Sequence, residues 1–316
     1  MRNLTLKQFR TLQAVARHSK IVNAAKELGL TPPAVTIQIK QAEEELGLEL
    51  FDRSRDGLRL TAAGLAVLEA AGAIENRLRQ LREEIDALKG VRAGSLKLGV
   101  VSTAKYFAPR MMAAFMQQHP NIKVLLQVGN RAEIVEKLRT HDVDIAIMGR
   151  APQDLPVNSV PFGDHPLVII APPHHPLAYE RDISKERIAR ENFLIREPGS
   201  GTRSSLEAFL SNIPGRLDSL GIEMGSNETI KQAVMAGLGI AFISAHTIEA
   251  EVETRRLVIL DVAGLPVRRQ WFAVTRADRV MSPAMAAFKA FLLSKGAMYL
   301  PFIDKLYPAT ALGSRE

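Results

Sequence analysis

Apolar residues in the first ninety positions follow helical periods. Leu6, Phe9, Leu12 and Val15 recur at three- and four-residue spacing, and Thr5 with Gln8 has the spacing of a capping box. Ala24, Ala25 and Leu28 form a second, shorter patch that Gly29 ends. Val35, Ile39, Ala42 and Leu46 make a third stripe. It is bounded by Thr31-Pro32-Pro33, a capping hydroxyl followed by a proline whose missing N–H is not needed in a first turn, and by Gly47 at the stop. The face opposite this stripe carries Pro33, Thr36, Ile37, Lys40, Gln41 and Glu44. Two short helices joined by a glycine-containing turn predict a helix-turn-helix, in which the start of the second helix, Pro32 to Lys40, meets base edges. Downstream, Leu50, Phe51, Leu58 and Leu60 flank RSRDG, and Asp56-Gly57 is a hairpin-turn pair. Arg53, Arg55 and Arg59 lie on or beside that hairpin, within reach of phosphates or a minor groove.

Between 62 and 89 the pattern changes. Val67, Ile74, Leu81 and Leu88 recur every seven residues, and Ala71, Leu78 and Ile85 fill the alternate seam positions. One helix cannot bury a heptad seam alone, so the pattern predicts pairing with a second copy, as a helix-turn-helix on paired half-sites requires. Gly90 and Gly94 then mark a hinge.

From Ser95 short apolar runs alternate with helical patterns. SLKLGVV, KVLLQVG, DIAIMG, PLVIIAPP, FLIRE, IAFIS and WFAVTR predict strands. YFAPRMMAAFMQQ, AEIVEKLRT, ETIKQAVMAGLG and PAMAAFKAFLLSKG predict helices. This is α/β patterning around a parallel sheet.

Composition narrows the picture. An apolar share of 47% over 316 residues supports sizeable cores in two or more domains. No apolar run approaches the length of a membrane span, and MRNLTLKQFR lacks a signal-peptide core, so a cytoplasmic protein with no membrane partner is expected. Cys is absent, which excludes disulfide sensing, thiol catalysis and cysteine metal sites. The net charge of +7 suits an anionic partner, yet the first 90 residues hold 14 Lys/Arg against 12 Asp/Glu. Bulk charge is therefore not concentrated on the predicted DNA-binding segment. Contact with DNA must rest on the placement of Lys40, Arg53, Arg55 and Arg59, and the excess elsewhere favours a small anion.

Ligands in open α/β sheets sit at the carboxyl ends of strands and at helix N-termini. Three junctions qualify: Ser102-Thr103-Ala104-Lys105, Gly199-Ser200-Gly201-Thr202-Arg203, and Ser226-Asn227-Glu228-Thr229. Hydroxyls and free N–H groups there suit a carboxylate or phosphate, with Lys105, Arg203 and Arg150 adding positive charge. Each could equally be a plain N-cap or turn. The seven His show no HExxH or other metal-ligand spacing, GSGT is not a Walker-type loop, and there is no GxSxG elbow, so neither an enzyme nor a metal site is expected.

AAKELGLTPPAVTIQIKQAEEELGLELFDRSRDGLRLTAAG resembles the N-terminal domain of LysR-type transcriptional regulators. The AA pair, the PAV turn, the EEELG helix end, the LFDR wing and the LTAAG helix start carry the resemblance. Many members have Gln-Pro at Pro32-Pro33 and Arg at Ile37, so base reading here leans on Pro33, Thr36, Gln38 and Lys40, with Thr31, Pro32, Arg53 and Arg55 beside them. The resemblance implies an α+β multidomain protein. Residues 1–61 would be a winged helix-turn-helix and 62–90 a dimerisation linker helix. Residues 91–316 would be a two-lobed α/β effector domain like a periplasmic binding protein, with lobe one at about 91–161 and 268–300 and lobe two at about 162–267.

It also implies that Ser102, Thr103, Lys105, Arg150, Ser200, Gly201, Thr202, Arg203, Asn227 and Thr229 line an effector cleft, and that double-stranded promoter DNA is bound by a homodimer or homotetramer. STAKYFAPRMMAAFMQQHP, VGNRAEIVEKLRTHDVDIAIMGR and FLIREPGSGTRSSLEAFL are similar to regulators of Calvin-cycle (RuBisCO) operons. Those respond to phosphorylated sugars, phosphoenolpyruvate or NADPH, so a phosphorylated metabolite or NADPH is the expected effector, with no resident cofactor. The rival reading is a cytosolic small-molecule-binding protein or enzyme whose N-terminal helices serve only to dimerise it.

Overall fold

In the computed structural model, which describes residues 4–54, 57–88, 94–213 and 221–301, the helix ends fall where capping chemistry puts them. Helix α1 (Leu6–His18) opens on a complete capping box: the Thr5 N–H donates to Gln8 Oε1 at 2.8 Å and the Gln8 N–H to Thr5 Oγ1 at 3.3 Å. Helix α2 (Ile21–Leu28) closes on Gly29, at φ +64°, and α3 (Pro32–Leu46) on Gly47, at φ +68°. Both are left-handed backbones that glycine adopts without steric cost. The apolar stripes of the three helices meet in one core of Leu12, Val15, Ala24, Ala25, Val35, Ile39 and Ala42, closed by Leu50 and Phe51. Strands β1 (Phe51–Ser54) and β2 (Gly57–Leu60) pair antiparallel as a wing, with Asp52 opposite Arg59 and Arg53 opposite Leu58.

Helix α4 (Ala62–Leu88) follows directly. The Thr61 hydroxyl caps it, accepting from the Gly64 N–H at 3.0 Å, and donates to the Glu49 carbonyl at 2.8 Å. The upper part of the predicted seam is used within the chain: Val67 packs on the winged core and Ala71 is buried. Ile74, Leu78, Leu81 and Ile85 remain 37–46% exposed. The side chain of Leu88, and Gly90 of the predicted hinge, lie outside the described residues.

A methyl group on Gly64 would lie 2.0 Å from the Leu50 carbonyl oxygen, a backbone atom that cannot swing aside. Gly64→Ala is therefore expected to destabilise the winged unit by about 1–3 kcal/mol, as overpacking does. An unchanged midpoint in denaturant unfolding would show that α4 can lift off Leu50 freely.

The second compact unit is built from the remaining elements. In chain order they are β3 (Gly94–Val101), α5 (Ala108–Gln118), β4 (Ile122–Gly129), α6 (Arg131–Arg139), β5 (Ile145–Met148), β6 (Val157–Ala171), α7 (Lys185–Ile188) and β7 (Phe193–Arg196). Then come α8 (Gly201–Phe209), β8 (Gly221–Met224), α9 (Asn227–Met235), β9 (Ala241–Ser244), α10 (Glu249–Glu253), β10 (Val258–Ile259), β11 (Val267–Arg276) and α11 (Pro283–Lys295). One seven-stranded sheet runs β10-β6-β11-β5-β3-β4, with β9 paired to β6. β3 is parallel to β4 and β5, whereas β6 and β11 are long and antiparallel. These two strands belong to both lobes. Lobe one buries Leu96, Leu98, Phe107, Phe115, Trp271 and Phe288. Lobe two buries one set around Phe193, Phe209 and Phe242 and another around Ile170, Leu194 and Ile243.

The sequence pattern starts β6 at Pro166 and β11 at Trp271, but the strands begin at Val157 and Val267. The first half of β6 is mostly exposed or half-buried and that of β11 alternates exposed and half-buried positions, and mutual pairing from Val157↔Arg276 to Leu167↔Val267 extends both strands. That pairing joins residues about a hundred positions apart, which no local pattern reports. β8, paired parallel to β7, is likewise absent from the sequence reading: its residues are mostly exposed and carry no apolar run.

Candidate functional site

On the winged unit, the start of α3 projects away from the core. Thr31, Pro32, Pro33 and Lys40 are exposed, and Ile37 is 55% exposed between them. Thr36 is half-buried and its hydroxyl donates to the Pro32 carbonyl at 3.1 Å, closing the first turn. Gln38 turns the other way. Its Oε1 accepts from the buried Thr11 hydroxyl on α1 at 2.5 Å, so its carbonyl is engaged in packing α3 on α1 rather than offered to a base. Arg53 is exposed on the wing. Arg55 lies outside the described residues.

In the second unit a cavity of about 380 Å³ opens at the carboxyl ends of β3, β4 and β5, where the loops and helix starts that follow parallel strands converge. Val101, Ser102 and Thr103 come from the end of β3 and the turn after it; Asn130 and Arg131 follow β4; Gly149, Arg150, Gln153 and Asp154 follow β5. Lobe two adds the start of α8, from Ser200 to Ser205, and the long strands add His165 from β6 and Arg269 from β11. Ser200, the N-cap of α8, makes no side-chain capping bond, so the helix presents uncapped N–H groups where its dipole is positive.

The lining is electropositive. Three guanidinium groups, Arg131, Arg150 and Arg269, face one carboxylate, Asp154. Arg131 is half-buried; it donates to the Ala151 carbonyl at 3.3 Å, but its Nε is buried without a partner. Burial, and next the charge of Arg150, hold the Arg131 guanidinium below its ordinary value, with Asp154 opposing. Burial and then Arg150 do the same to Arg269. Guanidinium groups disfavoured in this way by burial and a neighbouring cation gain from an arriving anion.

Of the ten residues expected in the cleft, Ser102, Thr103, Arg150, Ser200, Gly201 and Thr202 line the cavity. The other four serve structure around it. Arg203 points away, bonding Glu223 at 2.7 Å, Glu207 at 3.0 Å and the Arg196 carbonyl at 3.2 Å. Asn227 is buried and accepts from Arg196 at 2.5 Å. The Thr229 N–H donates to the cap of α9, Ser226, at 3.0 Å.

Lys105 of lobe one bridges to Glu228 of lobe two at 2.8 Å, and the Tyr106 hydroxyl donates to the same carboxylate at 2.6 Å. Burial alone would raise Glu228, but the bonds from Lys105 and Tyr106 outweigh it and bring it down to about 2. A second tie runs from buried Arg196 to Ser102 at 3.1 Å, and a third from the Ala132 N–H to the Gly199 carbonyl at 3.2 Å. Polar bonds beside the cavity thus tie the two lobes.

The sequence reading missed Asn130, Arg131, His165, Ser205 and Arg269. The strand-end rule alone could have found the first two, since VGNR closes β4. His165 and Arg269 need the β6–β11 register, in which they are direct partners. Among the described residues no group of three or more His, Cys, Asp or Glu is placed to hold a metal ion, and no helix is long and apolar enough to cross a membrane.

Residues 6–65 match the bacterial regulatory helix-turn-helix protein, lysR family, and residues 89–297 match the LysR substrate binding domain. The chain is 61% identical to the HTH-type transcriptional regulator CbbR of Rhizobium meliloti, over 99% of this chain and all of that one. It is 48% identical to the RuBisCO operon transcriptional regulator of Allochromatium vinosum, over 93% of this chain and 97% of that one. Among solved structures, the regulatory domain of CcmR from Synechocystis PCC6803 in complex with 2-PG superposes with a TM-score of 0.59 at 36% identity. That match covers 64% of this chain and 96% of the other.

Proposed function

This chain belongs to the LysR family of transcriptional regulators, and from that premise we propose that it controls a RuBisCO operon in response to a small phosphorylated anion held in the cavity. The observation that carries the ligand class is the lining itself: three arginines against one carboxylate, beside an uncapped helix N-terminus. The CcmR regulatory domain in complex with 2-PG supports a ligand of this kind. The two relatives support the target, one by its CbbR name and the other by its description as a RuBisCO operon regulator.

The protein works in the cytoplasm as a homodimer or homotetramer paired through α4. Thr31, Pro32, Pro33, Thr36 and Lys40 approach base edges in the major groove, and Arg53 of the wing takes phosphate. The ligand contacts both lobes and the two strands they share, so its affinity depends on how the lobes are set. It shifts the promoter complex only by the difference in its affinity for the two arrangements. Relatives named as transcriptional regulators, and a winged unit with its reading helix exposed, set aside the enzyme reading.

The test is promoter retardation at several salt concentrations, with and without phosphorylated ligands. The double variant Lys40→Ala, Arg53→Ala is expected to bind the promoter more weakly and to flatten the log–log salt slope by about 0.9 for each phosphate left unneutralised. A slope and affinity equal to the parent's would sink the assignment of these two side chains to DNA.

A further inference from the structure

His165 is the one imidazole in the cavity wall, and its surroundings are unusual for a buried polar group. The residue is 7% exposed, and both ring nitrogens are buried without a hydrogen-bond partner. Buried polar atoms in folded proteins are nearly always paired, so two orphans on one ring point to a partner that arrives from outside. The ring cannot turn away to find one. It stacks on Trp271, centroids 3.8 Å apart at 18°, and Trp271 is itself fixed by donating to His246 Nδ1 at 3.0 Å. On the other side a methyl group at Gly149 would stand 2.5 Å from His165 Nδ1, so glycine there leaves the ring its room. Arg131, which lines the same cavity, has its Nε buried and also unpartnered. Arg269, the cross-strand partner of His165, brings a second guanidinium.

We propose that His165 is the specificity-determining residue of the cavity: it meets a dianionic phosphate- or sulfate-like group together with Arg131 and Arg269, and takes up a proton from solvent as that group binds. The inference rests on the anion-binding reading of the cavity given above. Neutral imidazole offers one donor and one acceptor, whereas the protonated ring offers two donors, so only the latter is matched to an all-acceptor oxyanion. No bond other than N–H forms, and the proton comes from water or buffer.

The groups facing the ring explain why the proton waits for the ligand. Arg269 comes from β11, Arg131 from α6, Arg150 and Asp154 from the segment after β5, and His246 from the turn after β9. Burial, then the charges of His246 and Arg269, hold the His165 ring well below the usual imidazole range. His246 is itself held down to about 4 by burial. A dianion reverses the local field. The folded, ligand-bound pKa then lies above the ligand-free one, so binding is strongest below the ligand-free pKa, weakens as pH rises from there to the bound-state pKa, and is flat above it.

Sulfate is the appropriate probe because it does not titrate near neutrality. Calorimetric titration of the full-length protein with sulfate, between about pH 6 and pH 8 and in two buffers of different ionisation enthalpy, counts the protons directly. The expected result is uptake of up to one proton and an affinity that falls by up to about tenfold for each unit rise in pH. His165→Gln keeps an N–H donor but cannot titrate, so it should bind sulfate with no proton uptake and a flat pH profile; His165→Asn should do the same. Sulfate binding by the parent protein without proton uptake, or a glutamine variant with the parent's pH slope, would overturn the role of His165 while leaving the anion cavity intact. No sulfate binding by the folded parent at any pH would overturn the anion cavity itself. The proton count on the parent needs no variant and so does not depend on how either substitution folds.

Discussion

Arg131→Ala is expected to remove the ligand response almost entirely. The guanidinium sits at the first residue of α6, half-buried, with one bond to the Ala151 carbonyl and an unpartnered Nε. With Arg269 it is one of two half-buried guanidinium groups in the wall, whereas Arg150 is exposed. Truncating one partner of a desolvated, hydrogen-bonded charge pair costs about 2–5 kcal/mol, or roughly thirtyfold to a few thousandfold in affinity. Arg131→Lys should recover only part of this, since an ammonium restores the charge but not the two-pronged geometry that fits an oxyanion. Sulfate titration and the ligand-dependent change in promoter retardation would measure both variants. Wild-type affinity in the alanine variant would mean that the ligand is held by α8 and the hydroxyls alone.

How much of this is legible in the chain depends on how local each signal is. The winged unit reads almost completely, because its helix ends are written in adjacent residues: Thr5 with Gln8, Thr31 with Pro32, Gly29 and Gly47. Gln38 is tied through its side-chain carbonyl to Thr11 at a sequence distance of 27, which a helical wheel cannot show. The cavity is half legible. Ser102, Thr103, Ser200, Gly201 and Thr202 follow from the rule that strand ends and helix starts converge. The charges follow from it only in part: Arg150, and Arg131 at the end of β4, stand at strand ends. Lys105 and Arg203 have the right sign and the right junctions, but nearby carboxylates, Glu228 for one and Glu207 and Glu223 for the other, claim them. The arginine that joins His165 in the wall does so through a register between strands a hundred residues apart. Position along the chain therefore points to the cavity wall, while which cations stay free of nearby carboxylates, and the pairing of His165 with Arg269, depend on non-local contacts.

Leu78→Glu with Leu81→Glu should separate the assembly and, with it, most of the promoter affinity. Both residues lie on α4 in the stretch where the seam leaves the winged core, and with Ile74 and Ile85 they keep 37–46% of their surface in water in a single chain. Four such side chains at heptad spacing form a stripe that a second α4 can cover. Fully burying one leucine is worth about 1.5–3 kcal/mol, and the symmetric interface counts each position twice, so even partial burial of these four supports a stable pair. Two glutamates per chain replace that gain with four facing carboxylates. Sedimentation is expected to show monomer at concentrations where the parent is a dimer or larger. Promoter affinity should fall by about a hundredfold or more, because each winged unit then binds its half-site without the local concentration its partner provides. Binding to an isolated half-site should be unaffected, which separates loss of pairing from damage to α3. A variant that stays dimeric with full promoter affinity would place the pairing surface elsewhere than on α4.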